Sequence, residues 1–281
     1  MAVFGVVDLV ELSIAHASHS ELILRARAEA SSGLALGLNP QILKDDPLLT
    51  QTTGDRKGFK VTIGSEGARL NLNYILLSKH RDILVNLFTQ WGMKMVEADR
   101  VADCLYDWVT PGDLPSLNGA KADEYARAEL PQRPTSLPFT SFDEVKLVMN
   151  MDLLEKIKPD WQDSFTLYSN GPLDVTQAPQ ELIAAIFGID PKRLQFFTQV
   201  RDGKDELPGT ADDGPVSDLK TFQKQLGLSD RTIKSLGNQI SFSDPVRHVE
   251  SVGQVQGIQV MISVVTRLNT SPVQYLLWSE Q

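Results

Sequence analysis

The chain is poor in the residue types that carry chemistry. It has one cysteine, Cys104, and four histidines, His16, His19, His80 and His248. A single thiol excludes an intramolecular disulfide and a cysteine-based zinc centre. Its place in an amphipathic segment marks it as a small core residue. His16 and His19 are separated only by Ala17 and Ser18, so the glutamate of a zinc-binding helix pair is missing. There is no P-loop, no Gly-x-Ser-x-Gly elbow and no dinucleotide fingerprint, which argues against an enzyme. Positive charge is also short: 27 Lys and Arg stand against 36 Asp and Glu, a net charge of −9. A phosphate-binding surface rests on clustered cations, so nucleic acid is disfavoured as a partner. Long apolar runs are lacking too. The stretch AVFGVVDLVELSIA at the start is broken by Asp8 and Glu11, far short of the ~20 apolar residues of a membrane span. No basic region precedes it, so it is not an ordinary signal peptide.

What is present suits a globular protein. With 281 residues, 42% of them hydrophobic and 22% charged, the chain can bury a core and hold two or three lobes. Residues 8–37 read as one long helix, with Leu22, Ala26, Ala30, Gly33 and Gly37 on one face and Glu21 and Arg25 at i,i+4 on another. Small residues on a helix face permit close approach, by the chain's own sheet or by a neighbouring helix. Asn39-Pro40 ends the helix. Residues 44–58 read as a polar loop. Phe59, Val61 and Ile63 alternate, as do Leu70 and Leu72, and Gly64–Gly67 between them suits a hairpin.

From Tyr74 to about Lys158 the period turns helical, and Ser141 with Glu144 has capping-box spacing. Phe165–Val175 returns to strand-like alternation around Asn170-Gly171. Four short helices are expected next, over 179–187, 191–200, 218–226 and 230–236, with Asp190 as an N-cap and Gly188, Gly227 and Gly237 as stops. Ile258, Val260, Ile262 and Val264 mark a clear strand, and Tyr275 and Leu277 a last one. The order is that of an α+β chain with helical material spliced in.

Two acidic loops stand out. One offers Asp107, Asp113, Asn118, Asp123 and Glu124; the other offers Asp202, Asp205, Glu206, Asp212, Asp213 and Asp218. Calcium takes six to eight oxygens from carboxylates, amides and main-chain carbonyls, and either loop has such donors. Neither has EF-hand spacing, and the same Asp and Asn residues equally suit turns and caps in a solvated loop.

An ordered set of segments resembles a known family. It comprises Asp107-Trp108, Asp113, Gly119-Ala120, Asp123-Glu124-Tyr125, Arg133-Pro134 and Pro138-Phe139 to Val145, with FKVTIGSEGARLNLN (59–73) before and LDVTQAPQELIAAIFGI (173–189) after. In this order they are similar to the K component of bacterial type II secretion systems, a minor pseudopilin. The resemblance implies a pilin-like fold, with a long N-terminal helix on an antiparallel sheet and a large helical insertion of helix-hairpin-helix type. It divides the chain into a pilin-like body at 1–74, an inserted helical domain at 75–164, a strand pair and second helical segment at 165–238, and closing strands at 239–281.

By the same resemblance the role is structural, at the tip of a short periplasmic filament where the bulky insertion blocks a further subunit. The implied partners are the I- and J-type minor pseudopilins, and the secreted protein is a candidate as well. The helix face of Leu22, Ala26, Ala30 and Gly33 is the expected partner surface, and the metal candidates are Asp113, Asn118, Asp123, Glu124, Asp202, Asp205, Asp212 and Asp213, with calcium as the ion. Pseudopilins begin with a cleaved leader and an apolar helix anchored in the inner membrane. On that basis the chain is expected to start within or after that helix, or to be a divergent relative. A rival reading comes from Gly188-Ile189 and its flanking short helices, which resemble a helix-hairpin-helix DNA-binding module. Such a module grips phosphates through main-chain amides at helix N-termini and needs a glycine-rich hairpin with Lys or Arg nearby, whereas the hairpin GIDPKR has one glycine and an Asp.

Overall fold

The computed structural model describes residues 2–281 apart from 55, 217 and 237; the side chains of 2–18, 235 and 236 are not described. The helix stop expected at Gly237 therefore lies outside the described residues. The chain divides into two compact units, residues 1–64 with 246–281, and residues 65–245.

The first unit is one helix on one sheet. Helix α1 spans Ala2–Gly37, and the sheet holds β1 (Thr50–Thr53), β2 (Lys57–Ser65), β7 (Val246–Val255), β8 (Ile258–Arg267) and β9 (Gln274–Glu280) in the order β1-β2-β7-β8-β9. The β1–β2, β7–β8 and β8–β9 pairs are antiparallel. Strand β1 falls in the stretch read as a polar loop; its four residues TQTT are all exposed, so no burial pattern betrays it.

Strand β7 was also hidden, for a different reason. Its inward residues run Val249, Ser251, Gly253, Val255, and the two small polar or side-chain-free positions erase the apolar alternation. They are small because α1 crosses there. A Cβ on Gly253 would lie 2.0 Å from the Ala26 carbonyl oxygen and 2.3 Å from the Ala30 nitrogen. A Cβ on Gly33 would meet Ser251 Oγ at 2.5 Å, and one on Gly37 would meet Val249 Cγ1 at 2.4 Å. Around this contact Leu34, Leu49, Phe59, Val61, Ile63, Val249, Ile262 and Val264 close the core.

The second unit is mostly short helices around one core. It contains α2 (Leu72–Leu77), α3 (Arg81–Gln90), α4 (Met95–Val109), α5 (Ala122–Arg127), α6 (Phe142–Val145) and α7 (Met151–Ile157), then α8 (Gln180–Phe187), α9 (Gln195–Arg201), α10 (Leu219–Leu226) and α11 (Asp230–Leu236). The hairpin expected at 64–67 is absent. Instead β3 (Leu70–Asn71) pairs in parallel with β4 (Phe165–Thr166), and Leu72 opens α2. Likewise β5 (Leu173–Asp174) pairs in parallel with β6 (Ile240–Ser241), not with β4 across Asn170-Gly171. These pairings erase the division expected at 164/165, and a single apolar cluster runs from Leu70 through Trp108 and Phe165 to Phe222. The expected helix signals hold locally. Gly188 and Gly227 end α8 and α10 with positive φ, and Asp190 accepts a hydrogen bond from the Lys192 amide as N-cap; Asp218, read as part of an acidic loop, also caps α10.

The α1–β7 contact is testable. Gly253→Ala should destabilise the protein by about 1–3 kcal/mol through overpacking against main chain that has nowhere to go. Gly54→Ala, with open space around it, should be close to neutral in the same urea melt.

Candidate functional site

The strongest polar constellation in the second unit lies beside α4. This helix buries Ala98, Val101, Ala102, Leu105 and Trp108, and carries Asp103 and Asp107 one turn apart, each only 2% exposed. Both carboxylates receive the loop that follows. Asp107 accepts from the Ser116 amide at 2.8 Å and its hydroxyl at 2.7 Å, while Asp103 accepts from the Asn118 amide at 3.2 Å and carboxamide at 3.1 Å and pairs with Arg81 at 3.0 Å. A Cβ on Gly119 would fall 1.9 Å from Asp107 Oδ2, so the loop passes close only because it has glycine there. Burial pushes the Asp107 carboxyl up, against the lowering pull of its two bonds from Ser116 and of nearby Lys121. Burial likewise raises the Cys104 thiol to about 11, which keeps it protonated and unreactive.

The centre of the loop is held by a cation that the chain itself supplies. Lys121 is buried, and its ammonium donates to the carbonyl oxygens of Asp107 at 2.6 Å and Thr110 at 2.5 Å. Those are oxygens of the kind a calcium ion would take. The remaining acids are spoken for or solvated. Glu124 accepts from the Lys121 amide at 2.9 Å and pairs with Arg127, and that amide bond chiefly holds its carboxyl below the usual range. Asp113 and Asp123 are exposed, and Asn118 acts as a donor rather than an oxygen ligand. The four candidates of this loop therefore do not gather around one point. Lys121 and Asp103 were missed by sequence reasoning; the signal was an i,i+4 acid pair beside a buried helix stripe with a lysine in the next loop.

Around this cradle the aromatic residues lock together. Trp108 stacks on Phe139 at 6.4 Å with a 17° interplanar angle and meets Tyr125 edge-on at 5.7 Å. Its indole nitrogen donates to Glu144 at 3.0 Å, and the Tyr125 hydroxyl accepts from the Met149 amide at 2.8 Å. Glu144 also accepts from the Thr140 amide and hydroxyl, while Ser141 caps α6 by accepting from the Glu144 amide. The expected capping box is thus half formed, because the Glu144 carboxylate is drawn to Thr140 and Trp108. Partial burial raises the Glu144 carboxyl, but the bonds from Trp108, Thr140 and Thr135 outweigh it and bring it below its ordinary value.

The second acidic loop is bound into itself as well. Asp202 pairs with Arg201 at 2.5 Å, Asp205 accepts from the Leu207 amide at 2.9 Å, Asp212 from the Lys204 amide at 2.7 Å, and Asp213 from the Gly209 amide at 2.6 Å. Thr210 donates within reach of both Asp212 and Asp213. Among the described residues no three His, Cys, Asp or Glu side chains come together to hold a metal ion. The loop's donors are nonetheless all oxygen, and the Lys204 amide first, then Thr210, keep the Asp212 carboxyl low.

The two remaining assignments read differently in the structure. Ala26, Ala30 and Gly33 face the chain's own sheet and Leu22 is half-buried beside them, so the face expected to bind partners is already occupied. At the helix hairpins, Asp190, Asp218 and Ser229 accept from the first free amides of the turn at 191–194, of α10 and of α11. The phosphate grip of a DNA-binding hairpin is therefore filled by the protein's own side chains.

Residues 68–159 match the family described as type II secretion system (T2SS), protein K. The matched segment holds the Asp103–Lys121 cradle and the Trp108–Tyr125–Phe139 cluster. No curated protein matches the chain. Among solved structures, a chain of the GspK-GspI-GspJ complex from the type 2 secretion system of enterotoxigenic Escherichia coli is similar to it. The TM-score is 0.68 at 17% identity, over 95% of this chain and 99% of that chain. That likeness shows a shared fold, a helix on an antiparallel sheet with an inserted helical unit.

Two outcomes follow from the cradle. Lys121→Met should cost about 1–3 kcal/mol, because it leaves buried carbonyls unpaired, and should speed hydrogen exchange across 110–121. Glu144, with its pKa lowered on folding, stabilises the protein above the ordinary glutamate value of about 4.3 and loses that contribution as pH falls. Glu144→Gln should therefore flatten the acid limb of a stability–pH profile while leaving its alkaline limb unchanged.

Proposed function

We propose that this chain is a GspK-type minor pseudopilin of a type II secretion system, with a structural role in assembling the pseudopilus. The observation that carries the reading is the coincidence of two levels. The segment matching protein K, 68–159, is the segment whose buried polar and aromatic residues build the cradle, and it is inserted in a helix-on-sheet body of the fold seen in the GspK-GspI-GspJ complex. The chemistry agrees with a structural role. Asp103 and Asp107 are bound to loop amides and Lys121 to main-chain carbonyls, so the charged groups of the cradle are engaged in holding the loop.

The partners are the I- and J-type minor pseudopilins. On α1 the residues left for them are outward ones, with Leu24 63% and Ile23 39% exposed. The working site is the tip of the filament on the periplasmic side, with an inner-membrane anchor in the full-length protein. Among the described residues no helix is long and apolar enough to cross a membrane.

Co-purification of the full-length chain with I- and J-type proteins of the same system should give a stable complex. Leu24→Asp should weaken it by about tenfold or more, the scale of one lost buried leucine, without changing the melt of the isolated chain. Failure of the unaltered chain to associate with either protein would overturn the assignment of partners.

For calcium, the place we propose is the second acidic loop rather than the first, where Lys121 already serves. Its support is the carboxylate oxygen donors of Asp205, Asp212 and Asp213, whose amide partners lie in a largely exposed loop and can be exchanged for an ion. At a hundredfold excess over its dissociation constant, a ligand of the folded state stabilises by about 2.7 kcal/mol. Asp212→Ala with Asp213→Ala should abolish a calcium-dependent rise in melting temperature, and Asp123→Ala with Glu124→Ala should leave it intact. Identical melts in calcium and in chelator would remove calcium from the account.

A further inference from the structure

One buried acid in the second unit is used by neither the cradle nor the acidic loops. Asp174, 1% exposed, sits in β5 opposite Ser241 of β6, and the pair is fastened by hydrogen bonds from the Leu173 amide to the Gln239 carbonyl at 2.9 Å and from the Val175 amide to the Ser241 carbonyl at 3.0 Å. This short parallel ladder ties the end of the unit, residues 239–241, to its middle.

The two oxygens of Asp174 are treated differently. Oδ1 accepts from the Thr176 amide at 3.0 Å and hydroxyl at 2.6 Å, while Oδ2 is buried with no hydrogen-bond partner. A second acid stands against it. A Cβ on Gly67 would lie 2.3 Å from Asp244 Cβ and 3.1 Å from Asp174 Cβ, so both side chains converge on the same piece of backbone. Asp244 accepts from the Asn170 amide at 2.9 Å. Next to Gly67 is Glu66, 1% exposed, held by the Thr166 hydroxyl and by Arg69 at 3.5 Å. The cation whose charge reaches Asp174 is Arg201, but its guanidinium is spent on the carbonyls of Val175 and Ala178 and on Asp202. Burying an ionised carboxylate with a bare oxygen beside a like charge is costly, and such groups take up a proton instead.

We propose that Asp174 is a neutral carboxylic acid carrying its proton on Oδ2, and that the β5–β6 ladder is a pH-sensitive latch, firm while the acid is neutral and loosened when it ionises. The step is a simple loss of the Oδ2 proton to water, leaving a negative charge beside Asp244. Burial first, and then the charge of Asp244, raise the carboxyl, against the bonds from Thr176 and the pull of Arg201. A group with its pKa raised on folding binds its proton more tightly in the native state. The latch is therefore at full strength at and below the ordinary Asp value of about 3.9, and weakens as pH rises through the folded value.

The test compares the unfolding free energy of the whole chain with that of Asp174→Asn, whose amide copies the neutral acid in shape and can donate where the proton stood. The two should be equally stable near about pH 4, and the variant should gain on the wild type as pH rises above the ordinary Asp value. A variant weaker by the same margin at every pH would mean an ionised Asp174 and overturn the proposal. Should the variant fail to fold, carboxyl carbon NMR of the wild type decides. The Asp174 resonance should titrate above the ordinary carboxylate range, and a midpoint within or below that range overturns the idea. If calcium at matched ionic strength stabilises the wild type but not Asp174→Asn, a cation rather than a proton balances the oxygen, and the proposal fails.

Discussion

The pilin-like body depends on how closely a helix backbone can approach a strand backbone. Gly253 lets the Ala26 carbonyl and the Ala30 nitrogen come within reach of β7, at distances a single Cβ would forbid. That contact dictates its surroundings. Gly33, Gly37 and Ser251 must be small beside it, and the bulk of the core moves outward to Leu34, Phe59, Val61, Val249 and Ile262. It also orients the helix. With its small face pressed on the sheet, α1 turns Ile23 and Leu24 outward, so the constraint that builds the body also decides which apolar residues of the helix are left exposed.

The inserted unit solves another problem, that of keeping polar groups inside many short helices. Helices of six or seven residues expose many orphan amides and carbonyls for their length. Asp103 and Asp107 reach out from α4 to take up loop amides, and Lys121 reaches back to take up carbonyls at the end of the same helix. Each group supplies what its partner lacks, and the chain's own side chains hold the loop in shape. Trp108 and Tyr125 repeat the scheme in aromatic form, each filling core volume while one polar atom meets a loop or helix end.

Local grammar was legible in the sequence. The long helix, the strands around Val61 and Ile262, the N-cap at Asp190 and the glycine stops at 188 and 227 all follow from period and capping chemistry, which act within a few residues. The order of features from Asp107 to Phe139 likewise carries the resemblance to protein K, the family that residues 68–159 match. What escaped were elements whose identity depends on distant neighbours. β1 is exposed throughout and β7 has its inward side pared down by α1, so neither shows an apolar alternation.

Pairing was beyond the sequence for the same reason. The runs 59–72 and 165–175 look like hairpins because hairpins are the nearest partners in sequence, yet Leu70 pairs with Phe165 and Leu173 with Ile240. The acids show the divide most clearly. Composition alone established that the loops are rich in oxygen donors and that the chain holds too few cations to suit nucleic acid. Only the tertiary structure decided that a lysine at 121 fills the first loop, that the small face of α1 is turned inward, and that Asp174 is left with one bare oxygen. Charge and periodicity are properties of the chain in order, whereas the partner of a buried group is whatever the fold brings within about 3 Å of it, the reach of a hydrogen bond.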